Sequence, residues 1–210
     1  MKKNINCPCG KIFPIEADEE IDLDQNHEHI EEISSGTFMS FPCPDCGKIH
    51  KPEYRVVLLW KSKNFELEVL PELERGEFYR RKEEKKSSTE PVSFETVIGY
   101  PEMAERIAVI TDGLEPVAVE TLKYYLLVKA EENYPERNIN AWYHEKDDSC
   151  LVFHLDGIRD GELAEMKVPY QVYEKTCEDY RKKPKDEIFT HLRCRSYMSV
   201  QNILRPDELK

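Results

Sequence analysis

Four of the seven cysteines lie in two short and similar motifs. The first is Cys-Pro-Cys-Gly at residues 7–10, and the second is Cys-Pro-Asp-Cys-Gly at residues 43–47. In each motif the proline fixes one φ angle and the glycine tolerates a positive φ, so that backbone N–H groups can point at the sulfurs. Two pairs of thiolates supply the four ligands that zinc binds tetrahedrally. We therefore predict one structural Zn²⁺ site with the ligands Cys7, Cys9, Cys43 and Cys46.

The first motif is one residue shorter than the second, so its turn must be tighter. A histidine is an alternative ligand there, and the candidates are His27, His29 and His50, although their polar surroundings favour a solvated surface role. Dithiol redox chemistry is the alternative for the second motif. A redox pair, however, usually begins a helix in a βαβ unit, whereas a short strand-like run follows here and a second cysteine pair can share a metal.

The charge of the chain limits its partners. Forty-two acidic residues against 30 basic ones give a formal net charge of −12. This sign disfavours DNA, RNA and anionic membrane surfaces. No stretch approaches the roughly 20 apolar residues that span a bilayer, and the first residues lack the apolar segment of a secretory signal. We expect a cytoplasmic protein, where clustered cysteines more often bind metal than form structural disulfides.

The pattern around the cysteines predicts a zinc-ribbon-like module over residues 1–72. A short helix is expected at 25–34, followed by a β-hairpin with strands at 54–60 and 65–69 and a turn at 61–64. Zinc would substitute for the hydrophobic core that so short a segment lacks. Residues 73–91 are dense in charge and then small and polar, which predicts a charged linker.

Residues 92–210 predict a second domain of mixed helices and strands, so the expected fold class is α+β. Helices begin near Pro101, Pro116 and Pro169, because proline is favoured in the first helical turn. A further short helix is expected around 197–204. Strands are expected near 140–144, 150–156, 162–168 and 187–194.

The remaining reactive side chains have ordinary structural interpretations. Cys150, Cys177 and Cys194 fall on predicted strand or helix faces, where a free cysteine packs as a small apolar residue. His144 and His154 lie in neighbouring strands and are expected to pack across them. No phosphate loop, dinucleotide turn or nucleophile elbow is present in the sequence, and we predict no catalytic residue.

The motifs resemble those of the CpXC proteins, a bacterial and archaeal family named for two Cys-Pro-x-Cys motifs. The resemblance includes residues 7–10, 35–41, 43–47 and 69–72, and it continues more weakly through 110–114 and 168–173. It implies zinc binding by the cysteines and supplies no reaction.

We therefore expect a protein-interaction or regulatory module whose partner is another protein. One alternative is association with nucleic acid through the basic residues at 181–195. The other alternative is an enzyme with an unrecognised site in the 92–210 domain. Of these, an enzyme is less favoured than a binding protein.

Overall fold

A computed structural model describes residues 2–80 and 93–204 of the chain. It has mixed helices and strands and confirms the α+β class. The chain forms two compact units, Met1–Ala104 and Glu105–Lys210.

The first unit contains eight of the strands among the described residues, and their bounds follow in chain order. They are β1 (Lys2–Asn6), β2 (Ile12–Glu16), β3 (Glu20–Asp22), β4 (Phe41–Pro42), β5 (Ile49–His50), β6 (Val56–Trp60), β7 (Phe65–Leu70) and β8 (Ser93–Ile98). Its helices are α1 (Glu28–Ser34), α2 (Arg75–Arg80) and the start of α3 (Tyr100–Thr111).

The predicted hairpin is confirmed as β6 and β7, which pair antiparallel with Trp60 opposite Phe65. It forms the centre of a four-stranded sheet in the order β3-β6-β7-β8, in which β3 and β8 each pair parallel to a hairpin strand. The hairpin residues Val56, Leu58, Leu67 and Val69 are fully buried. They alternate along the strands with residues that face the other way, so all four lie on one face of the sheet. The sheet therefore has a hydrophobic core of its own.

The observed division of the chain differs from the sequence-based division into 1–72, 73–91 and 92–210. β8 falls within the segment assigned to the second domain, yet it pairs with β7 in the first unit. The start of the predicted charged linker forms α2, and residues 81–91 lie outside the described residues. Strand pairing across a long sequence separation, which the local pattern does not encode, places β8 in the first unit.

The second unit combines a three-stranded antiparallel sheet with helices. Its strands are β9 (Asn140–Lys146), β10 (Cys150–Asp156) and β11 (Ala164–Pro169), with β10 in the middle. Its helices beyond α3 are α4 (Pro116–Asn133), α5 (Tyr170–Lys182), α6 (Glu187–Leu192) and α7 (Gln201–Leu204). The helices predicted to begin near Pro101, Pro116 and Pro169 and the first three strands of this region are confirmed.

The strand predicted at 187–194 is wrong, because Glu187–Leu192 is the helix α6. Phe189 and Leu192 are its buried residues. Their spacing of three places both on one face of a helix, whereas in a strand they would lie on opposite faces.

α4 is buried on more than one face. Val119 and Leu122 belong to the apolar core. Glu120 and Lys123 are also buried, and Lys123 Nζ lies 2.7 Å from Glu105 and 3.1 Å from Glu120. Because these buried charges are paired with one another, the helix can bury them together with its apolar residues. In the part of the chain that the structure describes, no helix is long and apolar enough to cross a bilayer.

Candidate metal centre

Each cysteine motif forms the turn of a small antiparallel hairpin. The first motif joins β1 to β2, with Asn6 opposite Ile12. The second motif joins β4 to β5, with Pro42 opposite Ile49. The first hairpin was not predicted, although the alternation of Phe13, Ile15 and Ala17, all buried, was visible in the sequence. The hairpins fix the ends of both cysteine turns.

The two turns differ by the one residue that is missing from the first motif. In the first turn, the Gly10 N–H donates to the carbonyl of Cys7 at 2.9 Å. In the second turn, the Gly47 N–H donates to the carbonyl of Cys43, also at 2.9 Å. Donor and acceptor are four residues apart in this turn and three residues apart in the first. Both glycines have a positive φ, 93° and 72° respectively. The first turn is tighter, as its length predicted, and it closes with the same kind of hydrogen bond.

The turns bring the four predicted ligands into one cluster. The Sγ atoms of Cys7, Cys9, Cys43 and Cys46 all lie within 4.8 Å of one another, an arrangement that could hold a metal ion. The Sγ of Cys7 is 3.6 Å from that of Cys46, and the Sγ of Cys9 is 3.7 Å from that of Cys43. Both of these contacts connect one turn to the other. We call these four residues the cysteine cluster.

Backbone N–H groups favour the ionised form of the sulfurs, while burial and crowding oppose it. Burial disfavours the Cys43 thiolate, but the N–H groups of Cys46 and Asp45 and then the thiols of Cys7 and Cys9 lower its pKa to about 7. The Cys9 N–H favours the Cys7 thiolate, yet burial and the neighbouring thiols raise the pKa of Cys7 to about 12. Four close thiols cannot all ionise without a cation, which a metal ion would supply.

A small apolar cluster and an ion pair support the two turns. Ile5, Phe13 and Ile15 pack with the buried cysteines Cys7 and Cys43. Between the turns, Lys11 Nζ lies 3.2 Å from Asp45 Oδ1. This ion pair was not predicted, because it joins residues that are far apart in sequence.

The alternative histidine ligands are not part of the cysteine cluster. His29 instead pairs with Glu32 at 2.7 Å through its Nδ1. The ring of His50 contacts the ring of Phe13 edge to face, with 5.8 Å between the centroids. His27 is exposed, as its polar surroundings predicted.

Among the other predicted residues, the cross-strand packing of His144 and His154 is confirmed. Their rings stack with centroids 4.0 Å apart. Cys150 and Cys177 are buried as predicted, but the same prediction for Cys194 is wrong, because this residue is exposed. Cys194 follows α6 rather than lying in a strand that faces a core.

The basic residues at 181–195 do not line one strand, because the strand expected there is α6. Arg181 and Lys182 end α5, and Lys182 pairs with Glu178 at 2.9 Å. Arg193 donates a hydrogen bond to the hydroxyl of Tyr180. Two of the basic side chains in this region, Lys182 and Arg193, therefore contact other residues of the chain.

A surface opening of about 450 Å³ lies in the second unit, between the end of α4 and the β10–β11 hairpin. Its charged residues are Lys129, Arg159 and Glu162, and the last two pair with each other at 3.4 Å. The rest of the lining is mostly apolar. This opening therefore presents a mainly apolar surface with one ion pair at its edge.

The fold and the site define a class of protein, an α+β chain in which two hairpin turns assemble four cysteines that could hold a metal. The chain belongs to the CpXC protein family, whose family model matches residues 5–123. It is also 28% identical over 214 residues to an uncharacterised protein of Treponema pallidum (strain Nichols), covering 95% of this chain and 97% of the relative. No solved structure matches the chain.

Proposed function

We propose that the chain is a cytoplasmic zinc-binding protein in which the cysteine cluster holds one structural Zn²⁺. The distances between sulfurs carry this proposal. A zinc ion with Zn–S bonds of about 2.3 Å has sulfurs about 3.8 Å apart at the corners of its tetrahedron. The contacts of 3.6 Å and 3.7 Å between the two turns approach this spacing.

The ligands also support a structural role. Thiolates are soft ligands, and a tetrahedral set of four sulfurs suits zinc or iron. Four protein ligands would fill every position of a zinc ion and leave none for a reacting water. A reducing compartment, as in the cytoplasm, keeps such cysteines as thiols until metal binds.

Elemental analysis of the purified chain tests the metal. We expect about one zinc per chain and its loss in the Cys43→Ser/Cys46→Ser double variant. The matched control is Cys150→Ser/Cys194→Ser, which removes two cysteines outside the cluster and should retain the zinc. Full zinc retention in the first double variant, or iron in place of zinc in the wild-type chain, would contradict the assignment.

We further propose that the partner is another protein and that it binds beside the metal centre. Ile12 and Ile49 support this proposal. Each is the third residue after the last cysteine of its motif, and their exposed fractions are 62% and 58%. Each follows a lysine in sequence, Lys11 or Lys48, and the Lys11 ammonium pairs with Asp45. A partner protein that covers these isoleucines would remove their apolar surface from water, which favours binding.

Affinity purification from native cells tests the position of this surface. A partner that binds there is retained by the wild-type chain and lost with the Ile12→Ser/Ile49→Ser variant, provided that the variant keeps its zinc. Leu163→Ser is the control, because Leu163 is 64% exposed but lies on the second unit. Equal recovery of the same partner by all three proteins would place the binding surface elsewhere. Capture of RNA or DNA that weakens with added salt would favour the nucleic-acid alternative instead.

A further inference from the structure

The cysteine cluster combines exposed and buried sulfurs in a regular way. Cys9 and Cys46 are exposed, whereas Cys7 and Cys43 are buried. Each close contact between the turns joins one exposed residue to one buried residue, Cys46 to Cys7 and Cys9 to Cys43. In each contact, one of the two cysteines is therefore an exposed residue, and the sulfur of the other lies within 3.7 Å of its sulfur.

This arrangement has the two parts of an oxidation site. The accessible thiolate reacts with an oxidant, and a neighbouring thiolate resolves the product as a disulfide. Metal binding keeps cysteine in the thiolate form, which is the nucleophilic form. We propose that the cysteine cluster is a site of oxidation by hydrogen peroxide, and that it forms the disulfides Cys7–Cys46 and Cys9–Cys43 and loses its metal. This inference rests on the zinc site proposed above.

The reaction at one contact takes two steps. The Cys9 thiolate attacks one oxygen of the peroxide, so that an S–O bond forms, the O–O bond breaks and hydroxide leaves. The Cys43 thiolate then attacks the Cys9 sulfur, so that an S–S bond forms, the S–O bond breaks and a second hydroxide leaves. The pair has given two electrons to one peroxide. Cys46 and Cys7 react in the same way with a second peroxide.

The positions of the sulfurs favour disulfides between the turns. The contacting sulfurs must close from 3.6 Å or 3.7 Å to the bonded distance of about 2.05 Å. The ion pair between Lys11 and Asp45 helps to hold one turn against the other during this closure. A disulfide sulfur carries no negative charge, so the oxidised cluster has lost the ligands that bind the metal.

Release of zinc is the first measurement. The purified chain is assayed for zinc, treated with hydrogen peroxide and monitored with a chromophoric zinc indicator. We expect release of about one zinc per chain and recovery of binding after a thiol reductant is added with zinc. A chain that holds no zinc before peroxide overturns the zinc site itself. A chain that holds zinc and keeps it under peroxide overturns only the oxidation site.

The disulfides are located by digestion with trypsin without reduction. Cleavage after the lysines at 3, 11 and 48 places Cys7 and Cys9 in the peptide 4–11 and the other two cysteines in the peptide 12–48. Disulfides between the turns link these two peptides, whereas disulfides within each turn leave them separate. Separate oxidised peptides would contradict the proposal. The exposed Cys194 lies in a different peptide and serves as a control for general thiol oxidation.

Four double variants determine which sulfurs pair. Cys9→Ser/Cys43→Ser leaves Cys7 with Cys46, and Cys7→Ser/Cys46→Ser leaves Cys9 with Cys43. Both should form the link between peptides faster, by about tenfold, than the two variants that leave Cys7 with Cys43 or Cys9 with Cys46. Equal rates in all four metal-free variants would show that the observed contacts do not direct the pairing.

Discussion

Gly10 and Gly47 close the cysteine turns in a backbone conformation that other residues rarely adopt. Their φ angles are 93° and 72°, while a Cβ added at either position would meet no atom within 4 Å. An alanine there is strained by its own backbone and not by a neighbour, at a cost of about 1–2 kcal/mol.

We predict that Gly10→Ala and Gly47→Ala each weaken zinc binding about tenfold, since about 1.4 kcal/mol corresponds to that factor. The metal-free turn can relax the strain, whereas the turn that binds metal cannot. Competition with a chelator measures the affinity. Gly76→Ala is the control, because Gly76 lies in α2 without a positive φ and also has open space around it. Unchanged affinity in both cysteine-turn variants would mean that these glycines do not shape the site.

The cysteine cluster and the backbone conformation of its two turns could be predicted at the residue scale, because both depend on short motifs. A proline and a glycine next to the cysteines determine the local backbone, so the clustering of the four cysteines could be predicted from the motifs. The ion pair between Lys11 and Asp45 could not be predicted in this way, because it depends on how the two turns approach each other.

At the scale of elements, the turn between β9 and β10 depends on one carboxylate. Asp147 accepts hydrogen bonds from the thiol of Cys150 at 3.0 Å, from the N–H of Ser149 at 2.7 Å and from the N–H of Cys150 at 2.8 Å. The Cys150 thiol and these N–H groups hold the pKa of Asp147 well below its ordinary value. The ionised carboxylate therefore stabilises the folded hairpin.

We predict that Asp147→Asn lowers the melting temperature of the chain near neutral pH. A depressed pKa contributes stability that is complete above the unfolded value of about 3.9 and is lost as pH falls through the folded value. The difference in Tm between wild type and variant should thus be constant above about pH 5 and shrink toward about pH 2. Thermal melts followed by circular dichroism measure it. Asp148→Asn is the control, since Asp148 is an exposed neighbour in the same turn. A difference that grows on acidification would show that the carboxylate is not the stabilising group.

The elements that the sequence predicts are those with a strong local pattern. The hairpin at 54–69 and the helices beginning near Pro101, Pro116 and Pro169 carry clear alternation or proline starts, and all are observed. β3 and β8 were missed because their identity as strands depends on parallel pairing with the hairpin. α6 was mistaken for a strand because six residues are too few to separate the two periodicities.

At the scale of the whole molecule, removal of the proposed zinc should affect the regions unequally. The cysteine turns rest on a small apolar cluster of Ile5, Phe13 and Ile15 with two of the cysteines themselves. The sheet containing β6 and β7 has its own fully buried residues, and the second unit has a separate apolar core. Without metal, the thiols and nearby carboxylates remain, while the small cluster and the ion pair between Lys11 and Asp45 hold the turns together.

We predict that a strong chelator raises hydrogen exchange mainly in peptides from residues 2–16 and 41–50. Peptides covering 56–70, 117–128 and 150–168 should stay protected, because their buried contacts do not include the cysteine cluster. Mass spectrometry of the exchanged peptides measures this, and added zinc should restore the original protection. The Cys43→Ser/Cys46→Ser variant should resemble the chelated chain without chelator. If protection fell equally in peptides 117–128 and 150–168, a division into separately stable domains would be wrong, because metal binding would then stabilise the whole chain as one cooperative unit.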